Sequence, residues 1–62
     1  MYKATADVWT GYRLSYHYKT KKEAVEGIQR ELLNALPEGG RGCWTVQDAK
    51  RGLIVERGVL KK

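Results

Sequence analysis

Residues 2–19, YKATADVWTGYRLSYHYK, decide the fold. Tyr2, Ala4, Ala6 and Val8 share one parity with Tyr12, Leu14, Tyr16 and Tyr18. Lys3, Thr5, Asp7, Trp9, Arg13, Ser15, His17 and Lys19 take the other. A period of two over this length is the signature of a half-buried strand pair. Facing residues of a hairpin lie on one side of the sheet, so the parities must match across the turn. A three-residue loop, Trp9-Thr10-Gly11, meets that condition. It puts Gly11 at the position that needs positive φ, and it sets Asp7 opposite Arg13.

Outward from this hairpin the period changes at Thr20. Thr20 and Glu23 form the S/T-x-x-E capping box that opens a helix. Ala24, Val25, Ile28, Leu32, Ala35 and Leu36 follow at helical spacing as one apolar stripe. Glu26 and Arg30 are an i,i+4 pair in the favourable orientation, and Pro37 ends the helix. Gly27 falls on the polar side, either as a tolerated defect costing about 1 kcal/mol relative to Ala or as a place where another backbone packs.

Glu38-Gly39-Gly40-Arg41-Gly42 reads as a flexible connector. Two more strands follow, Cys43 to Asp48 and Leu53 to Leu60, joined by Ala49-Lys50-Arg51-Gly52 with Gly52 in the left-handed region. That loop pairs Val46 with Val55 and Thr45 with Glu56. Leu53-Ile54-Val55 is apolar on both sides, the pattern of a central or doubly covered strand. Lys61 and Lys62 read as a frayed basic end.

The expectation is one α+β domain over residues 1–62, ordered ββαββ: hairpin 1–19, helix 20–36, hairpin 43–60. A single helix covers one face of a small antiparallel sheet, and the other face meets water or a partner. Tyr2, Ala4, Ala6, Val8, Leu14, Tyr16, Val25, Ile28, Leu32, Leu36, Val46 and Val55 are the expected core.

Composition narrows the function. Sixty-two residues, 42% of them hydrophobic, suffice for one small core of marginal stability. One Cys excludes an internal disulfide, and one His beside one Cys cannot complete a tetrahedral zinc site, so neither a metal nor a cofactor is expected. The longest apolar run is Leu53-Ile54-Val55, too short for a membrane helix, and Met1 is followed by alternation where a secretion signal needs an apolar run. The chain is expected to be cytoplasmic and to have no membrane partner.

Catalysis has little support. His17 lies on the polar parity without an orienting partner, because Arg13 claims Asp7, and Cys43 at a strand start has the place of a buried structural thiol. A chain this size has little room for a pocket of a few hundred Å³. The glycine-rich connector follows a helix and precedes a strand, the reverse of a phosphate-binding loop. No catalytic residue is assigned, and an enzyme is not expected.

Charge points further. Lysine and arginine number 12 against 7 acidic residues, a net +5. Lys3, Arg13, His17 and Lys19 share the polar side of the first hairpin, with Trp9 at its tip and Lys21 and Lys22 adjoining at the helix start. Arg41, Lys50, Arg51, Arg57, Lys61 and Lys62 lie in the other half. Basic side chains on an open sheet face suit phosphate contacts, with Trp9 and Trp44 available to stack on bases. A charge of +5 is also ordinary for solubility. Trp9 can instead anchor a protein partner, or fold back over its hairpin. A sheet edge offers strand addition to a partner or to a second copy, hence a homodimer. The expected partner is nucleic acid or a host complex that processes it; the alternative is a protein–protein inhibitor or adaptor working through the hairpin tip, sheet face or sheet edge.

The hairpin running into Thr20-Lys21-Lys22-Glu23-Ala24 resembles small phage and prophage proteins over residues 2 to 36. The order of elements is similar to that of the short RNA-polymerase inhibitors of T7-like phages, and the T-x-x-E-A helix start resembles the partial RNase-H-like domain of HicB-type antitoxins. The chain is basic where the HicB domain is usually acidic, residues 1–62 hold no counterpart of that family's DNA-binding module, and the helix is not acidic like that of the polymerase inhibitors. The resemblance implies a small non-enzymatic regulator from a phage or mobile element. It carries over no functional residue.

Overall fold

The computed structural model describes residues 1–8 and 11–62. Four strands and one helix follow in the order β1 (Tyr2–Val8), β2 (Arg13–Tyr18), α1 (Lys21–Ala35), β3 (Arg41–Asp48) and β4 (Leu53–Lys61). The sheet is antiparallel throughout, in the order β2-β1-β3-β4, so β1 and β3 join the two hairpins at its centre. This is the ββαββ α+β fold that the periodicity predicts.

In the first hairpin Asp7 faces Arg13, Val8 N–H donates to Tyr12 O at 2.8 Å, and Gly11 has φ 93°. Trp9 and Thr10 lie outside the described residues. Thr20 caps α1 as expected: its hydroxyl oxygen accepts the Glu23 N–H at 3.1 Å, and the hydroxyl donates to Glu23 Oε1 at 3.1 Å, so Glu23 reaches the cap through the Thr20 side chain.

α1 lies on the side of the sheet to which the even-numbered residues of β1 to β3 point. Ala4, Ala6, Val8, Trp44 and Val46 from the sheet meet Ala24, Ile28, Leu32 and Leu36, all buried. Tyr2, Leu14, Val25 and Val55 border this core half-buried. Three expectations change here. Tyr16 is 37% exposed, because β2 is an edge strand and its outer side chains overhang the helix. Ala35, at the helix end, is exposed. Gly27 is buried rather than on a polar face, and what packs there is a side chain: a Cβ at Gly27 would lie 2.5 Å from the Tyr18 ring.

The second hairpin departs more. β3 begins at Arg41, so Arg41 and Gly42 belong to the strand, and Lys61 pairs with Arg41 instead of fraying. Lys62 continues this order, its N–H on Gly40 O at 2.9 Å and its Nζ on Leu33 O at 3.3 Å. The turn is as expected, with Gly52 at φ 73° and Asp48 opposite Leu53. The register then slips: Val46 faces Glu56 and Thr45 faces Arg57, because Val55 is an extra residue on β4. The bulge explains why an apolar run on both parities can sit at an edge. It brings Gly58 under the Trp44 indole, where a Cβ would lie 2.7 Å from the ring, and points Leu60 at the core. Leu53 and Ile54 are each 58% exposed, so this strand is neither central nor doubly covered.

Candidate functional site

The side of the sheet away from α1 is uncovered, and register orders its side chains into rows. His17, Lys3, Gln47 and Ile54 form the first, Ser15, Thr5, Thr45 and Arg57 the second, and Arg13, Asp7, Cys43 and Val59 the third. Arg41 and Lys61 stand side by side beyond them. The alternation that buries alanine, valine and tryptophan on one face delivers hydroxyls, an amide and cations to the other.

At the centre, Thr5 Oγ1 and Thr45 Oγ1 share a hydrogen bond of 2.7 Å. Arg13 Nε donates to Asp7 Oδ1 at 2.7 Å, and this bond, then the carboxylate's charge, raises the guanidinium's pKa above its ordinary value. Asp7 is the one acidic residue among the described residues of this face. Glu23, Glu26 and Glu31 are on α1, Glu38 is in the connector, Glu56 points to the helix side, and Asp48 closes the β3–β4 turn. Lys3, Arg41, Arg57 and Lys61 have no carboxylate within ion-pair distance among the described residues.

The residues singled out from the sequence therefore divide. Lys3, Arg13 and His17 lie together on the open face, and exposed Lys19 follows on the same parity just beyond β2. Lys21 is turned the other way, its Nζ 3.8 Å from Glu56 Oε2 on the helix side. Lys22 is exposed on the first turn of α1. Trp9 lies outside the described residues. Trp44 is 6% exposed and unavailable for stacking. The four tyrosines belong to the helix-side parity, so the open face carries no aromatic ring among the described residues.

Arg41, Arg57 and Lys61 join Lys3 on this face although sequence reading leaves them in a separate half. Two things bring them there. β1 pairs with β3, which makes one surface of two hairpins, and the Val55 bulge moves Arg57 from opposite Trp44 to opposite Thr45. Cys43 is exposed on the same face rather than buried, because it shares the parity of Thr45 and Gln47, opposite to the buried Trp44 and Val46.

Two shallow grooves cross this surface, about 360 Å³ beside Asp7, Arg41, Cys43 and Val59, and about 440 Å³ beside Cys43, Thr45, Arg57 and Val59. Room of a few hundred Å³ thus exists after all, though as open troughs. Among the described residues no three His, Cys, Asp or Glu side chains gather as metal ligands, and no helix is long and apolar enough to cross a membrane. Comparison with family models, with characterised proteins and with solved structures finds no match for this chain.

Proposed function

We propose that the open sheet face binds the phosphate backbone of nucleic acid, and that the protein is a small, basic, non-enzymatic regulator of the phage or mobile-element kind. The observation that carries this reading is the segregation of charge. Four cations without carboxylate partners share one face whose single acid among the described residues is already bonded to Arg13. Thr5, Thr45, Ser15 and Gln47 lie between them and supply the neutral hydrogen-bonding groups that phosphate contacts use beside Lys and Arg. Cations and hydroxyls of this kind contact phosphates, so binding is expected to tolerate sequence and to accept a duplex.

Titration of labelled single- and double-stranded DNA and RNA at low and high salt tests this. Four phosphate contacts on a duplex predict a log–log salt slope of about −3 to −4. Lack of binding at low salt, where phosphate attraction is strongest, contradicts the reading.

A second reading, a protein–protein inhibitor or adaptor, draws on the exposed apolar residues on either side of Arg57. Ile54 is 58% and Val59 70% exposed, with Cys43 next to Val59. Such a partner would be lost with Val59→Glu and would respond weakly to salt.

A further inference from the structure

The sheet has two free edges, β2 and β4, and they are built differently. On β4 the bulge at Val55 interrupts the ladder, and Glu56, Arg57 and Lys61 stand along the strand. A copy paired antiparallel about Arg57 or Val59 sets Arg57 against Arg57 or Lys61, and one centred on Gly58 sets Glu56 against Leu60. Bulges and charges of this kind protect an edge from pairing. β2 has no such guard. It is regular across Arg13–Tyr18, and its one Lys or Arg, Arg13, is already bonded to Asp7.

The hydrogen bond from Val8 N–H to Tyr12 O sets the phase of the β1–β2 ladder. Bonded pairs alternate in an antiparallel ladder, so Leu14, Tyr16 and Tyr18 turn their backbone groups to β1, while Arg13, Ser15 and His17 turn theirs outward. We propose that β2 pairs antiparallel with β2 of a second copy of this chain, centred on Ser15, so that two sheets become one. In this register Ser15 faces Ser15 and Arg13 faces His17, so every outward N–H and C=O of the three residues finds a partner. A shift of two residues one way sets Arg13 against Lys19, and the other way leaves His17 facing Gly11 in the turn.

On the helix side the same register places Leu14 against Tyr16 and Tyr12 against Tyr18 of the other copy. Tyr12 is 59% and Tyr16 37% exposed in the single chain, and this contact covers both. Each copy contributes a six-residue strand and two exposed tyrosines to the contact, so the pairing is expected to be weak and concentration-dependent. The proposal does not rest on nucleic-acid binding, though pairing would lay the two open faces side by side.

Sedimentation of the protein alone, up to about 1 mM, tests it. The wild type should show a dimer that grows with concentration, and Ser15→Lys, which brings like charges together on the twofold axis, should weaken it about tenfold or more. Ser15 is exposed, so circular dichroism of that variant should match the wild type. In a Cys43→Ser background, Ser15→Cys should oxidise to a covalent dimer and Val59→Cys, on the β4 edge, should not. A monomer over the whole range, a dimer indifferent to Ser15→Lys, or crosslinking through Val59→Cys instead of Ser15→Cys would overturn the proposal.

Discussion

The two faces of one sheet are written in the same four strands and have opposite chemistry. Towards α1 the strands present Ala4, Ala6, Val8, Trp44 and Val46, none more than 6% exposed. Away from it the neighbouring positions present Lys3, Thr5, Asp7, Thr45 and Arg57. The first face holds the chain folded. The second buries little, and its one ion pair among the described residues, Asp7–Arg13, is solvent-exposed, where such pairs are worth about 0 to 1 kcal/mol. Parity thus separates the face that holds the fold from the face proposed to bind, and substitutions should separate in the same way.

The largest effect is expected inside the core. Leu32 is fully buried between helix and sheet, so Leu32→Ala should cost about 2 to 5 kcal/mol, a large share of a small domain's stability. Urea or thermal denaturation checks this. Gly58→Ala should follow. The new Cβ meets a Trp44 indole that is itself buried, and overpacking of this sort costs about 1 to 3 kcal/mol. A neutral result would mean that the bulge does not hold Gly58 under the indole. Thr20→Ala removes the acceptor of the Glu23 N–H and should lower stability by about 1 kcal/mol.

A smaller effect sits on the border of the two regions. The Tyr16 phenol is raised above its ordinary value, first by burial and then by the Glu31 carboxylate, whose oxygen accepts its O–H at 3.4 Å. The fold therefore favours neutral Tyr16. That contribution is intact below the unfolded phenol's pKa of about 10 and is lost as the pH rises through the folded value. Tyr16→Phe keeps the ring and removes the ionisation, so its melting temperature should fall less than that of the wild type above that pH.

Much of this fold is legible in the sequence because local physics sets it. Alternation across Tyr2–Tyr18 predicts the first hairpin and the Asp7–Arg13 pair, and the Thr20–Glu23 box predicts the helix start. What resists reading is non-local. Nothing near Val55 marks it as the extra residue, since its run is apolar on both parities, and the bulge is resolved by what lies across the strand: Trp44 needs Gly58 beneath it. Gly27 likewise looks like a defect until Tyr18 is seen to occupy its space. The candidate site shares this split. Lys3, Arg13 and His17 follow from the hairpin's own parity, whereas Arg41, Arg57 and Lys61 reach the same face through β1–β3 pairing and the bulge.

The most direct test of the account compares two double variants of equal charge change. Lys3→Glu with Arg57→Glu alters the open face, and Lys50→Glu with Arg51→Glu alters the β3–β4 turn. Both pairs are exposed, so each substitution should leave stability within about 0.5 kcal/mol of the wild type. Duplex binding at low salt should collapse in the open-face variant and persist in the turn variant with only the modest loss that reduced net charge brings. Equal loss in the two would show that the protein attracts phosphate through its overall charge, and would contradict the open sheet face as the binding site.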